Sequence, residues 1–150
     1  MKRPLPIWLL LFSLLFLAFG GLYGGIAMLI DPAGSTLQMD AVLPLLPVPD
    51  YTLPGLFLLF IMGLTPLILI YALLTRPGWS WVEAAFRWSG HHWAWTGSLT
   101  LGVLLVIWLA IQGLLIDLQW AIQFVTAGNA IMILLFALLP SVRRHYARDM

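Results

Sequence analysis

From Pro4 to Ile30 the chain carries no charged side chain, and three further stretches repeat that pattern before the C-terminus. A helix that is apolar on every side has no polar face to turn to water, so it must be enclosed by protein or by lipid. With 62% hydrophobic and 9% charged residues and a mean hydropathy of +1.00, a fold of this size has too few charges to cover a water-facing surface, for which soluble domains use roughly 25%. The excess apolar surface needs a bilayer.

The first run, residues 7–30, follows Lys2 and Arg3 and is far longer than the roughly 7–15 apolar residues of a cleavable signal, so it reads as a retained helix. The second, residues 54–75, opens on a proline, which a helix start tolerates, and stops at Arg76-Pro77-Gly78. The third covers about 95–116 and the fourth about 118–139, with Asp117 marking a tight hairpin between them. Each is close to the ~20 residues that span a hydrocarbon core of about 30 Å. Residues 1–150 therefore read as one all-α domain of four transmembrane helices.

Lys2, Arg3, Arg76, Arg87, Arg143, Arg144 and Arg148 fall on one side of a four-span chain, and Asp31, Asp40, Asp50 and Asp117 fall on the other. Only Glu83 and Asp149 join the basic set. Short cytoplasmic segments retain Lys and Arg, so both termini are expected in the cytoplasm and the protein in the cell inner (plasma) membrane.

Two connections have character of their own. Residues 31–53 carry Pro32, Pro44, Pro47 and Pro49 among apolar residues; proline at this spacing prevents a regular helix, and the segment is expected to fold onto the helix ends as an outer lid. On the inner side, residues 81–89 read as a short interfacial helix. Ser80 and Glu83 fit a capping box, Gly90 supplies a left-handed stop, and Glu83 and Arg87 stand at i,i+4 spacing. Trp79, Trp81, Trp88, Trp93 and Trp95 surround it, as indole rings do at headgroup depth.

Within the first span, Gly20, Gly21, Gly24 and Gly25 make two overlapping small-xxx-small pairs, which allow close helix approach within this chain or between two copies. Charged residues are absent from all four spans. Proton relays and ion-coupled transporters rely on intramembrane charge, so those classes are not expected. Neutral polar groups stand there instead: Tyr23, Thr65 beside Pro66, Gln112, Gln119, Gln123, Thr126 and Asn129. Gln119, Gln123 and Thr126 follow i, i+4, i+7 on one helical face. Together these residues either line an outward-opening polar cleft beneath the lid or bond neighbouring helices to each other.

His91 and His92 are adjacent, so on a helix they diverge by about 100° and cannot share one ligand. Haem or pigment ligation through one of them is the sole cofactor role the sequence offers, and no metal site is expected. No cysteine is present, and no nucleophile–base or carboxylate pair suggests an enzyme.

The outer stretch Asp31-Pro32-Ala33-Gly34-Ser35-Thr36-Leu37-Gln38-Met39, with Pro49-Asp50-Tyr51-Thr52-Leu53-Pro54-Gly55-Leu56, resembles a family of small bacterial membrane proteins without an established activity. Trp108-Leu109-Ala110-Ile111-Gln112 and Leu118-Gln119 are similar too. The resemblance implies a four-helix bacterial inner-membrane protein and transfers no functional residue. The functional expectation is a non-enzymatic accessory or scaffold subunit of a membrane complex, or a homo-oligomer. Its partners are then the lipid bilayer and other membrane subunits or itself, with no nucleic acid. The alternative is binding or passage of a neutral small molecule or lipid through the polar cleft.

Overall fold

Proline sets the first helix boundary. Pro4 caps helix α1 (Leu5–Ile30) in an extended conformation and Pro6 sits in the first turn, where its missing N–H leaves no helical bond unmade. The start therefore falls two residues before the apolar run. The computed structural model describes residues 2–148, so Asp149 of the basic set lies outside the described residues. After the outer loop come α2 (Thr52–Thr75), a short α3 (Ser80–Ala85), α4 (Trp93–Ile116), α5 (Ala121–Leu138) and a terminal α6 (Pro140–Tyr146). The fold is all-helical, and α1, α2, α4 and α5 are each long and apolar enough to cross a membrane. Their outward faces carry side chains such as Phe12 and Phe19, each about two-thirds exposed, which water would not tolerate at this density.

The fourth span starts at Ala121 rather than at residue 118. Asp117 adopts φ +61° and Trp120 an extended cap conformation, because the chain needs these residues to reverse direction after α4. Helix α3 also differs from expectation. Trp79, not Ser80, is its cap, no side chain caps it, and Glu83 N–H donates to the Trp79 carbonyl. The capping box therefore does not form, since Ser80 already lies inside the first turn. The α-helix ends at Ala85 and tightens into a 3₁₀ turn, Arg87–Ser89, so the i,i+4 geometry of Glu83 and Arg87 is lost. Gly90 does make the left-handed stop, at φ +67°.

Each long helix packs on two others: α1 lies against α2 and α5, and α4 closes the ring against both. On α1 the buried stripe runs Ile7, Leu10, Leu14, Leu17, Gly21, Gly25, Met28, the three-and-four spacing of a helix seam. Its tightest point is glycine. A Cβ on Gly21 would meet the backbone of Met62 and lie 2.6 Å from Gly63 N, and one on Gly25 would lie 2.6 Å from Leu59 N. Of the two overlapping glycine pairs, Gly21/Gly25 makes the α1–α2 crossing. Gly20 has nothing within 4 Å of its Cβ position, and Gly24 meets only Leu58 at 3.4 Å.

At this crossing α2 is widened. Residues Leu58–Leu64 form a π-helical segment, and the Thr65 N–H donates to the Phe60 carbonyl five residues back. Pro66 explains part of this: it has no N–H to offer and crowds the preceding turn. The Thr65 hydroxyl donates to the same Phe60 carbonyl at 2.9 Å.

At the end carrying the basic residues, long-range bonds satisfy helix carbonyls that have no partner within their own helix. Arg3 donates to the Leu74 carbonyl at 2.7 Å and the buried Tyr146 hydroxyl to Leu73 at 2.8 Å. Arg76 donates to the His145 carbonyl at 2.6 Å and lies over the Tyr146 ring. Trp95 donates from its indole to the Ala137 carbonyl at 2.8 Å. The opposite end is built of local loops. Asp31 accepts from the Ser35 hydroxyl and from the Thr36 amide and hydroxyl, at 2.7–2.8 Å. Tyr51, 1% exposed, bonds the Met39 carbonyl through its hydroxyl and the Pro32 carbonyl through its amide.

Candidate functional site

Beneath the loop of residues 31–53 the four long helices do not close on one another. They leave a cavity of about 350 Å³. Leu17, Gly20, Gly21 and Tyr23 of α1 form one wall, and the π segment of α2 contributes Leu58 and Met62. From α4 come Leu105, Trp108, Leu109 and Gln112, and from α5 Ile122, Gln123 and Thr126. Leu37 and Met39 of the loop reach down to it. Among the described residues no charged side chain lines it, and the lining is mainly apolar.

Of the polar residues singled out in the sequence, Tyr23, Gln112, Gln123 and Thr126 share this cavity, and the others do not. Gln123, buried, is largely committed to its own chain. Its Oε1 accepts from the backbone amides of Gln119 and Trp120, which close the start of α5. Its Nε2 donates to Gln112 Oε1 at 3.4 Å, across the hairpin, and to the Asp117 carbonyl at 3.3 Å. Gln119 lies before the helix begins, so it does not continue the i, i+4, i+7 face. Its side-chain amide donates to the Ile116 carbonyl at 3.0 Å and finishes α4. Thr126 donates to Ile122 at 2.7 Å, a bond within its own helix. Asn129 is buried between α1 and α5 and donates to the Ser13 carbonyl at 3.1 Å. Thr65 is occupied at Phe60 and lines no part of the cavity.

This division leaves two groups at the cavity uncommitted. Among the described residues, no acceptor is bonded to Gln112 Nε2, and the Tyr23 hydroxyl, on a side chain 71% exposed, has no partner. Tyr23 stands where the cavity opens sideways. A groove of about 300 Å³ on the outer surface between α1 and α5 shares Leu17, Gly20, Tyr23, Ile122 and Thr126 with the cavity. The empty space at Gly20 lies on this passage. The sequence shows the glycines but not which pair stays open, because that depends on the rotation of α1 against α2. It also gives no signal for Leu37 and Met39, whose approach depends on the fold of the loop.

The histidines stand at the other end and do different things. His91 places Nδ1 2.6 Å from the Ser89 carbonyl and stacks on Trp95 at 4.2 Å. His92 accepts at Nδ1 from the Ala94 amide and caps α4. Burial, helped by the nearby Arg76 and Arg148, holds its pKa below the ordinary value. Both residues precede α4, so the helical divergence expected of the two rings does not apply to them. Among the described residues, no three or more His, Asp or Glu converge as a metal-binding group would require.

Compared with protein-family models, with curated proteins and with solved structures, the chain finds no match. The resemblance seen in the outer-loop motifs therefore carries no functional assignment, and the site has to be read from its own chemistry.

Proposed function

We infer that the chain is a non-enzymatic, multi-pass membrane protein that admits an uncharged amphiphile through the gap between α1 and α5 into the cavity below the outer loop. The observation that carries this reading is the continuity of groove and cavity across Gly20. An apolar lining suits a hydrocarbon chain, and its volume falls within the roughly 300–1,000 Å³ of small-molecule pockets. An uncharged site disfavours a charged ligand, which would lose its hydration without gaining a counter-charge. Gln112 Nε2 and the Tyr23 hydroxyl supply hydrogen bonds to a small polar head. The test is lipid mass spectrometry on protein purified from its native membrane in mild detergent. Gly20→Leu fills open space and is expected to leave the melting temperature unchanged while the co-purifying amphiphile is lost; its retention by this variant would overturn the reading.

The same inference places the basic end at the cytoplasmic face of a bacterial inner membrane, with α3 in the interface, on the distribution of Lys and Arg. The chain has no cysteine, so single substitutions give a clean topology assay. Ala33→Cys is expected to react with a membrane-impermeant maleimide in intact cells and Ser141→Cys only after lysis. The reverse pattern would invert the orientation.

A second reading, assembly with another subunit or a second copy, is favoured by the glycines that the fold leaves uncovered. Gly20 and Gly24 form a notch that a partner helix could occupy. Native mass spectrometry separates the two: a protein partner lost in Gly20→Leu supports assembly, and a monomer carrying a small molecule supports the cavity.

A further inference from the structure

The geometry points to a second and separate lipid site at the basic end, a groove on the outside of α4 that holds an anionic phospholipid by its phosphate. The groove measures about 500 Å³ and is distinct from the outer cavity. Its floor follows from helical spacing. Trp95, Leu99 and Val103 recur every four residues on α4, so they form one continuous stripe that descends from the helix start into the apolar span. Thr96 and Thr100 also line it, but their hydroxyls are turned to Ser89 Oγ at 2.8 Å and to the Thr96 carbonyl at 2.9 Å. The lower groove is therefore apolar and suits an acyl chain.

The upper end is polar and cationic. On α6, Val142 and Tyr146 are buried one helical turn apart, which turns Arg143 outward at the head of the groove. His91 stacks on Trp95 and directs Nδ1 to the Ser89 carbonyl. That bond selects the tautomer with hydrogen on Nδ1 and leaves Nε2 to accept from a headgroup hydroxyl. Trp88, 79% exposed, borders the same opening. Among the described residues no acidic side chain lines the groove, and every Lys and Arg of the sequence lies before α1, between α2 and α4, or after α5, all at this end of the bundle. A cation above an apolar trough, at the depth of an aromatic belt, matches a phosphodiester with its chains in the leaflet; basic pockets of this kind between transmembrane helices bind anionic headgroups.

The test uses the full-length protein in phosphatidylcholine nanodiscs, titrated with phosphatidylglycerol and followed by native mass spectrometry and thermal stability. Phosphatidylglycerol is expected to bind and raise the melting temperature. Arg143→Gln is expected to weaken binding about fivefold, the size of one basic side chain at a membrane surface, whereas Arg144→Gln, which removes the same charge outside the groove, should change it far less. Equal losses in the two variants would reduce the effect to surface charge and overturn the site. So would saturation by inorganic phosphate alone, or equal occupancy by phosphatidylcholine. Leu99→Trp fills the trough and leaves Arg143 in place; it is expected to displace the lipid, and unchanged binding would remove the acyl-chain half of the proposal. Because Gly20→Leu acts at the opposite end, it should leave this titration unaltered.

Discussion

The two ends of the bundle satisfy their polar groups in opposite ways. At the basic end the bonds join residues far apart in sequence: Arg3 with Leu74, Tyr146 with Leu73, Trp95 with Ala137. At the acidic end they stay within one loop or one hairpin, as in Asp31 with Ser35 and Thr36, Tyr51 with Met39, and Gln123 with Gln119, Trp120 and Asp117. Long-range bonds tie helix to helix, so opening one disturbs several elements. Local bonds keep a loop in shape while leaving it free to shift as a unit. The cavity lies at the end held by local bonds, and the other end acts as the clamp of the bundle.

Tyr146 and Tyr51 offer the sharpest contrast, since both are 1% exposed and both donate from the hydroxyl to a backbone carbonyl, Tyr146 to another helix and Tyr51 within its own loop. Tyr146→Ala should cost about 3–5 kcal/mol, the range for emptying a large buried aromatic site, measured by unfolding in mild detergent with SDS. Tyr51→Ala should cost less, about 1–2 kcal/mol, because its partners are in its own loop and the damage stays local. Protease cleavage confined to residues 31–53 would show this. If both variants lost equal global stability, the clamp-and-loop distinction would be wrong.

Smaller effects follow. Trp95→Phe keeps most of the ring but leaves the Ala137 carbonyl unbonded, for an expected loss of about 1–2 kcal/mol, read as earlier thermal unfolding. Acidification should then separate the ends without mutation. His92 and His145 are both held below the ordinary value of 6.5, first by burial and then by neighbouring arginines. As pH falls through 6.5 the unfolded chain takes up protons that the fold resists, so the basic end loses stability there. Asp31 has its pKa lowered from 3.8 to about 2, first by the Thr36 amide and then by the Ser35 hydroxyl. Its contribution is complete above pH 3.8 and disappears as pH falls through about 2. Protease resistance of residues 31–53 should differ between wild type and Asp31→Asn at about pH 5 and converge near pH 2.

The four spans were legible because only a bilayer or a protein interior accommodates helices free of charge over so many residues, and the sorting of charges to two ends followed from the same runs. Finer features depended on rotation and turn length, which periodicity does not contain. Gln119 fits a helical face only if the helix has begun, and Asp117 with its positive φ delays that beginning to Ala121. Ser80 and Glu83 have the residue types of a capping box, yet a cap at Trp79 moves both one place along. The bond between Gln112 and Gln123 joins two of the polar groups that the sequence offers as links between neighbouring helices. The opening at Gly20 could not, because two adjacent glycine pairs look alike until the opposing helix selects one. Thr65 beside Pro66 signals a disturbed helix, but nothing in the sequence marks the extent of the widened turn.

That widened turn has a mechanical consequence. Residues 58–64 of α2 hold more chain per turn than an α-helix, so the outer and inner halves of this helix are out of step, like two lengths of thread joined with an extra fraction of a pitch. Restoring ordinary winding by one residue would rotate one half against the other by about 100°. The half next to the 31–53 loop carries Gly55, which packs on Gly25 of α1, while the other half carries Leu73 and Leu74, held by the clamp. Deleting Ile61 removes the extra residue, so ordinary winding returns with the two halves still in phase, and Gly55 is expected to stay against Gly25 with the bond between Tyr146 and Leu73 intact.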